Sequence, residues 1–102
     1  MFKFTTIYRK VDDDDQLEAF FSSTHLRLAE ELPNTEKIEI SRVIRKPGGQ
    51  SRFHLMVEVY FPDEDHFLVA LASEPGVELV RALKPWADAK IITWYFAESF
   101  EE

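Results

Sequence analysis

The tripeptide Pro47-Gly48-Gly49 stands between two runs rich in β-branched and aromatic residues, Lys37 to Lys46 and Gln50 to Phe61. Glycine adopts positive φ without steric cost, so these three residues predict a tight turn and the runs beside it an antiparallel hairpin. A hairpin commits the chain to a sheet, and a sheet has to bury at least one of its faces.

The other elements follow from periodicity. Phe2-Lys3-Phe4-Thr5-Thr6-Ile7-Tyr8-Arg9 reads as a first strand, ended by the acidic run Asp12 to Asp15. Asp15, three residues before Glu18, has the form of a capping box; helix capping rather than metal binding is the role expected of the four aspartates. Leu17, Phe20, Phe21, Thr24, Leu28 and Leu32 recur at three- and four-residue steps, which predicts a helix over Gln16 to Leu32, stopped by Pro33-Asn34. Asp63 is placed to cap a helix carrying Phe67, Ala70 and Leu71, and Ser73-Glu74-Pro75 to open a second one running towards Leu83. Lys84-Pro85-Trp86 is expected to close it. Ile91 to Phe96 is a fourth strand, and Glu101-Glu102 a frayed acidic tail.

The order is β-α-β-β-α-β, which makes residues 1–102 one α+β domain of the ferredoxin-like kind, a four-stranded antiparallel sheet with helices on one face. Alternation puts Phe53, Leu55, Val57, Val59 and Phe61 on one face of the third strand and His54, Met56, Glu58 and Tyr60 on the other. In the fourth strand Ile92, Trp94 and Phe96 oppose Ile91, Thr93 and Tyr95. Both faces are more apolar than a solvated surface requires, so a second copy is expected on the uncovered face, as a homodimer.

With 12 Lys and Arg against 19 Asp and Glu, the net charge of −7 repels a phosphate backbone, and no nucleic-acid partner is expected. The absence of cysteine removes disulfides, thiolate nucleophiles and cysteine-based metal sites; a cytoplasmic location is expected. No run approaches the roughly 20 apolar residues of a membrane span, and Met1 to Lys10 lacks signal-peptide form, so the expectation is a soluble protein whose mature form is the whole chain. Glycine-rich nucleotide loops and the Gly-x-Ser-x-Gly elbow do not occur, so redox chemistry would need a borrowed cofactor, a bound haem, or direct reaction of an activated substrate with oxygen. No cofactor of its own is assigned to the chain.

His25 lies four residues after Phe21 and three before Leu28, beside the apolar stripe of the first helix. An imidazole there is either a general base near neutral pH or a packed, hydrogen-bonded core residue. Glu58, on a central strand, needs a partner: it either orients His25 or holds a substrate proton, or it pairs with Arg42 or Arg9 across the sheet. These two are the candidate catalytic residues. Tyr8, Tyr60, Trp86 and Trp94, with His54, are candidates for a pocket that takes a small apolar or aromatic molecule. His25, His54 and His66 lack the close spacing of a helical metal site, and no metal is assigned.

Four pieces then line up: Phe20 to Leu28 ending in Thr24-His25-Leu26-Arg27-Leu28, Glu31-Leu32-Pro33, Ser41-Arg42-Val43, and Val57-Glu58-Val59-Tyr60-Phe61. Together with Ala70-Leu71-Ala72-Ser73-Glu74-Pro75 and Phe96-Ala97-Glu98, their order and spacing resemble the EthD family over nearly the whole chain. Arg27 stands where that family commonly has proline, and Asn34 where it has glycine; asparagine tolerates the left-handed conformation that glycine supplies. The resemblance implies a dimeric α+β barrel with its ligand between sheet and helices, and a link to oxidative catabolism. Two functions are compatible with it. One is a small pocket enzyme, of oxidoreductase or acid–base type, in which His25 moves a proton on an oxygenated apolar metabolite; the other is a non-catalytic ligand-binding or accessory protein. Haem binding is a third possibility, one that a Soret band would reveal.

Overall fold

The computed structural model describes residues 1–101; Glu102, the end of the expected acidic tail, lies outside the described residues. Four strands, β1 (Phe2–Arg9), β2 (Lys37–Arg42), β3 (Phe53–Phe61) and β4 (Ile92–Glu98), form one antiparallel sheet in the order β2-β3-β1-β4. The two innermost strands, β1 and β3, are the most buried. Gly48 and Gly49 sit at φ 89° and 148°, and Lys46 bridges Gly49, so the turn forms where it was expected. The regular strands are shorter than the runs beside that turn, because the hairpin end projects past the helices, Ile44 is largely exposed, and no packing holds the arms in register.

The first crossover is a single helical rod in three parts: α1 (Asp15–Phe20), a π turn (Phe21–His25) and α2 (Leu26–Glu31). Its N-cap is Asp14, with no side-chain capping bond, so the expected capping box does not form; Glu18 points elsewhere. Asn34 ends the segment at φ 67°, where asparagine substitutes for glycine as expected. In the second crossover, α3 (Glu64–Ala72) is capped by Asp63, which accepts from the His66 amide at 2.9 Å, and α4 (Glu74–Asp88) by Ser73, which accepts from the Gly76 amide at 3.3 Å. The two helices pack so closely that a Cβ on Gly76 would lie 2.1 Å from the Ala70 carbonyl oxygen. Pro85 does not end α4, which runs on to Asp88. Trp86 stacks on Phe20 with centroids 4.7 Å apart, and this anchor, with buried Leu83, holds the last turn despite the missing amide.

All helices cover the face made by Phe2, Phe4, Thr6 and Tyr8 of β1, which pair with Phe61, Val59, Val57 and Leu55 of β3. Phe67 of α3 sits among Phe2, Phe4, Phe61 and Phe96, with centroids 4.8–6.2 Å away, an aromatic cluster that anchors the second crossover. The opposite face, with Lys3, Thr5, Ile7, Met56, Glu58 and Tyr60, carries no helix. Among the described residues no helix is long and apolar enough to cross a membrane.

One irregularity redirects side chains. Tyr8 pairs with Leu55 but Arg9 with Phe53, so His54 is an extra residue in β3, a β-bulge. The expected alternation therefore fails below Leu55. Phe53 shares the open face with Arg9, and His54 reaches Glu18 of α1 on the helix side.

Candidate functional site

His25 owes its position to the π turn. At 100° per residue, a straight α-helix would carry residue 25 about 80° around the axis from Leu17. The wider turn takes up that offset, so Leu17, Phe21, His25 and Leu28 are all buried against the sheet. Ser22 and Ser23 bond back to the carbonyls of Glu18 and Ala19, contacts that loosen α-helical geometry at this point. Nδ1 of His25 meets the Tyr8 hydroxyl at 2.5 Å, and the Phe21 ring packs edge-on to both rings. Tyr8 is 0 % exposed and His25 1 %.

Burial sets the protonation of this pair. It lowers the imidazole pKa to about 4 and raises that of the phenol, so both groups are neutral near pH 7. The phenol then donates to Nδ1, which leaves the imidazole proton on Nε2. Arg27, the departure from the family pattern, is exposed and lies 3.5 Å from Glu31, so its charge is spent on the surface.

Glu58 is on the other side of the sheet. Its carboxylate accepts from Lys3 Nζ at 2.6 Å, on the open face, and this contact is the first cause of a raised Lys3 pKa. Neither Arg42 nor Arg9 pairs with it, and it does not orient His25; Tyr8 does. The reason is parity, since Glu58 pairs with Thr5, whose side chain points away from the helices. Thr5 Oγ1, buried beside it, has no hydrogen-bond partner. Tyr60 shares this face, with Lys37 Nζ 4.4 Å above its ring.

His54 and Arg42 both bind Glu18: His54 Nε2 lies 2.7 Å from Oε1, and Arg42 donates to both oxygens, at 2.5 and 3.0 Å. The hydrogen bonds from Arg42 first, then His54, lower the Glu18 carboxyl pKa to about 2. This clamp fastens α1 to β2 and β3.

The seven candidates therefore occupy five places. Tyr8 and His25 form a sealed pair, Glu58 and Tyr60 lie on the open face, His54 is in the clamp and Trp86 is stacked on α1. Trp94 alone of the seven lines a cleft on the helix side of β4, about 320 Å³ in volume and completed by Phe4, Leu71, Val80, Tyr95 and Phe96. Of these, Trp94 and Phe96 were visible as one alternating face of the fourth strand, but Phe4 joins them only through the pairing of β1 with β4, and Leu71 and Val80 only through the packing of α3 and α4.

No protein-family model matches this sequence, and comparison with curated proteins yields no match. Solved structures do match. An EthD family protein from Bacillus halodurans superposes with a TM-score of 0.88 at 24 % identity, covering 98 % of this chain and 99 % of that one. SnoaB, a cofactor-independent oxygenase from Streptomyces nogalater, gives a TM-score of 0.67 at 14 % identity, over 99 % and 94 % of the two chains. A dimeric ferredoxin-like protein of unknown function from Thermobifida fusca gives 0.66 at 12 % identity, over 96 % and 90 %. This chain thus has the ferredoxin-like α+β fold, with the strand order and crossovers of an EthD family protein.

Proposed function

We propose that the protein is a homodimeric ligand-binding protein that holds a small apolar, aromatic and oxygenated metabolite in the cleft beside β4. The observation that carries this reading is the lining itself: aromatic and aliphatic side chains around about 320 Å³, with the Trp94 indole N–H as the side-chain donor for a ligand oxygen, since the Tyr95 hydroxyl points to the other face of the sheet. The two candidate acid–base groups lie outside it, one sealed among core side chains and the other across the sheet. The dimer is supported by the uncovered sheet face and by exposed Phe96, Leu68 and Phe100, apolar surface that a second copy would bury. It has a dimeric neighbour of the same fold.

A second reading, a cofactor-free oxygenase, is favoured by the likeness to SnoaB, because an activated aromatic substrate that reacts directly with oxygen needs a dry, oriented pocket more than a protein acid or base. Native mass spectrometry of untagged protein tests the common part of both readings. The expected mass is close to twice 12.0 kDa, with an added small molecule or, on titration, bound naphthol. Val80→Trp, which fills the cleft, should abolish naphthol binding and preserve the dimer. His25→Asn should keep naphthol binding and lose about 1–3 kcal/mol of stability, since a buried partner of Tyr8 is exchanged. Unchanged stability together with lost binding or turnover in His25→Asn would return the function to proton transfer at that residue.

A further inference from the structure

At the end of the sheet away from the chain termini, Arg9, Arg52 and Lys90 line a second cleft of about 290 Å³ with Phe53, Ile92 and Thr93. Three separate segments are tied together there. The Arg9 amide donates to the Ile91 carbonyl at 2.8 Å and the Lys10 amide to the Arg52 carbonyl at 2.7 Å, while the Arg9 guanidinium reaches the Lys90 carbonyl at 3.4 Å. Lys90 is held at φ 65°, a left-handed conformation uncommon for lysine.

Lys3, Arg27, Lys37, Arg42 and Lys84 each sit against a carboxylate. Among the described residues, Arg9, Arg52 and Lys90 make no ion pair, and neither do Lys10, Arg45, Lys46 and Arg81. What sets the three apart is convergence: they line one concavity that no carboxylate lines, in a chain of net charge −7 whose carboxylates are in excess. The β-bulge at His54 is what turns Phe53 to the side of Arg9, and the Arg52 guanidinium lies 5.5 Å from the centre of the Phe53 ring. Cations at the rim and an aromatic floor suit an amphipathic anion.

We propose that this cleft binds a small organic carboxylate with an aromatic or apolar body. The forked guanidinium groups of Arg9 and Arg52 receive the carboxylate, Lys90 adds charge, Thr93 supplies a hydroxyl, and Phe53 carries the apolar part. The site shares no residue with the cleft beside β4, so one can fail without the other. Calorimetric titration with naphthoate, set against the neutral analogue naphthalenemethanol, tests it. Naphthoate should bind and weaken as sodium chloride is raised. Arg9→Gln with Arg52→Gln, two exposed positions, should leave thermal unfolding unchanged and weaken naphthoate at least about tenfold, the scale of a lost charge-assisted contact. Val80→Trp should leave naphthoate binding intact. Equal affinity for the neutral alcohol, or naphthoate binding indifferent to the double variant, would overturn the site. Capture of an acidic peptide in its place, with no naphthoate bound, would overturn it too, in favour of a protein-docking surface.

Discussion

On the helix side of the sheet, Tyr8 and His25 bury a polar pair with both members neutral; on the open side, Lys3 and Glu58 make a pair with both members charged. Strand β1 supplies one member of each, five residues apart and of opposite parity. The difference lies in access to water. Tyr8 and His25 are sealed by Phe21, Leu17 and the sheet, and desolvation shifts both pKa values towards the uncharged forms. Lys3 keeps 22 % of its side chain exposed, so its ammonium remains partly hydrated while it satisfies a carboxylate that is only 8 % exposed. One strand can therefore place charge and neutrality on either side of a single layer, provided that one face is covered and the other is not.

Acid should break this symmetry most. The unfolded imidazole takes up its proton near pH 6.5 and the folded one near pH 4, so between those values the unfolded state binds more protons. The stabilisation is complete above pH 6.5 and is lost as pH falls, about 3 kcal/mol by pH 4 at 1.36 kcal/mol per unit. Urea unfolding of the wild type should show this slope, and His25→Asn should abolish it above about pH 5, below which loss of the Glu18 clamp remains; an equal slope in the variant would place the acid sensitivity elsewhere. Tyr8→Phe should come next. It removes the hydroxyl and leaves Nδ1 buried without a donor, at a cost of about 2 kcal/mol, read as a lower urea midpoint with unchanged dependence on denaturant. Glu58→Gln should have the smallest effect, about 1 kcal/mol or less, because the released Lys3 turns to water. Added salt should shrink the difference between Glu58→Gln and wild type but leave Tyr8→Phe unaffected, since a neutral pair is not screened. A salt-sensitive Tyr8→Phe effect would contradict the neutral assignment.

The hairpin turn, both caps of the second crossover, the break at Ser73 and the β-α-β-β-α-β order were all legible in the residues, because each depends on local backbone preference or on short periodicity: positive φ at Gly48, side-chain caps at Asp63 and Ser73, and the spacing of Leu17, Phe21, Leu28 and Leu32. Packing decided the rest. Strict alternation cannot announce a bulge, so Phe53 and His54 were assigned to the wrong sides, and with them went the view of the basic cleft. Pattern alone could not tell which parity of β1 and β3 meets the helices, so the partner of Glu58 became Lys3 rather than an arginine, and the partner of His25 became Tyr8, seventeen residues earlier in the chain. The cleft beside β4 was partly visible, in Trp94 and Phe96, and was completed by Phe4 through the β1–β4 pairing and by Leu71 and Val80 once α3 and α4 came together over Gly76. Local sequence determined which elements form, since a few neighbouring residues settle each of them. Which side chains meet across those elements depended on register, bulge and helix contact, and these are settled by the packing of the whole domain at once.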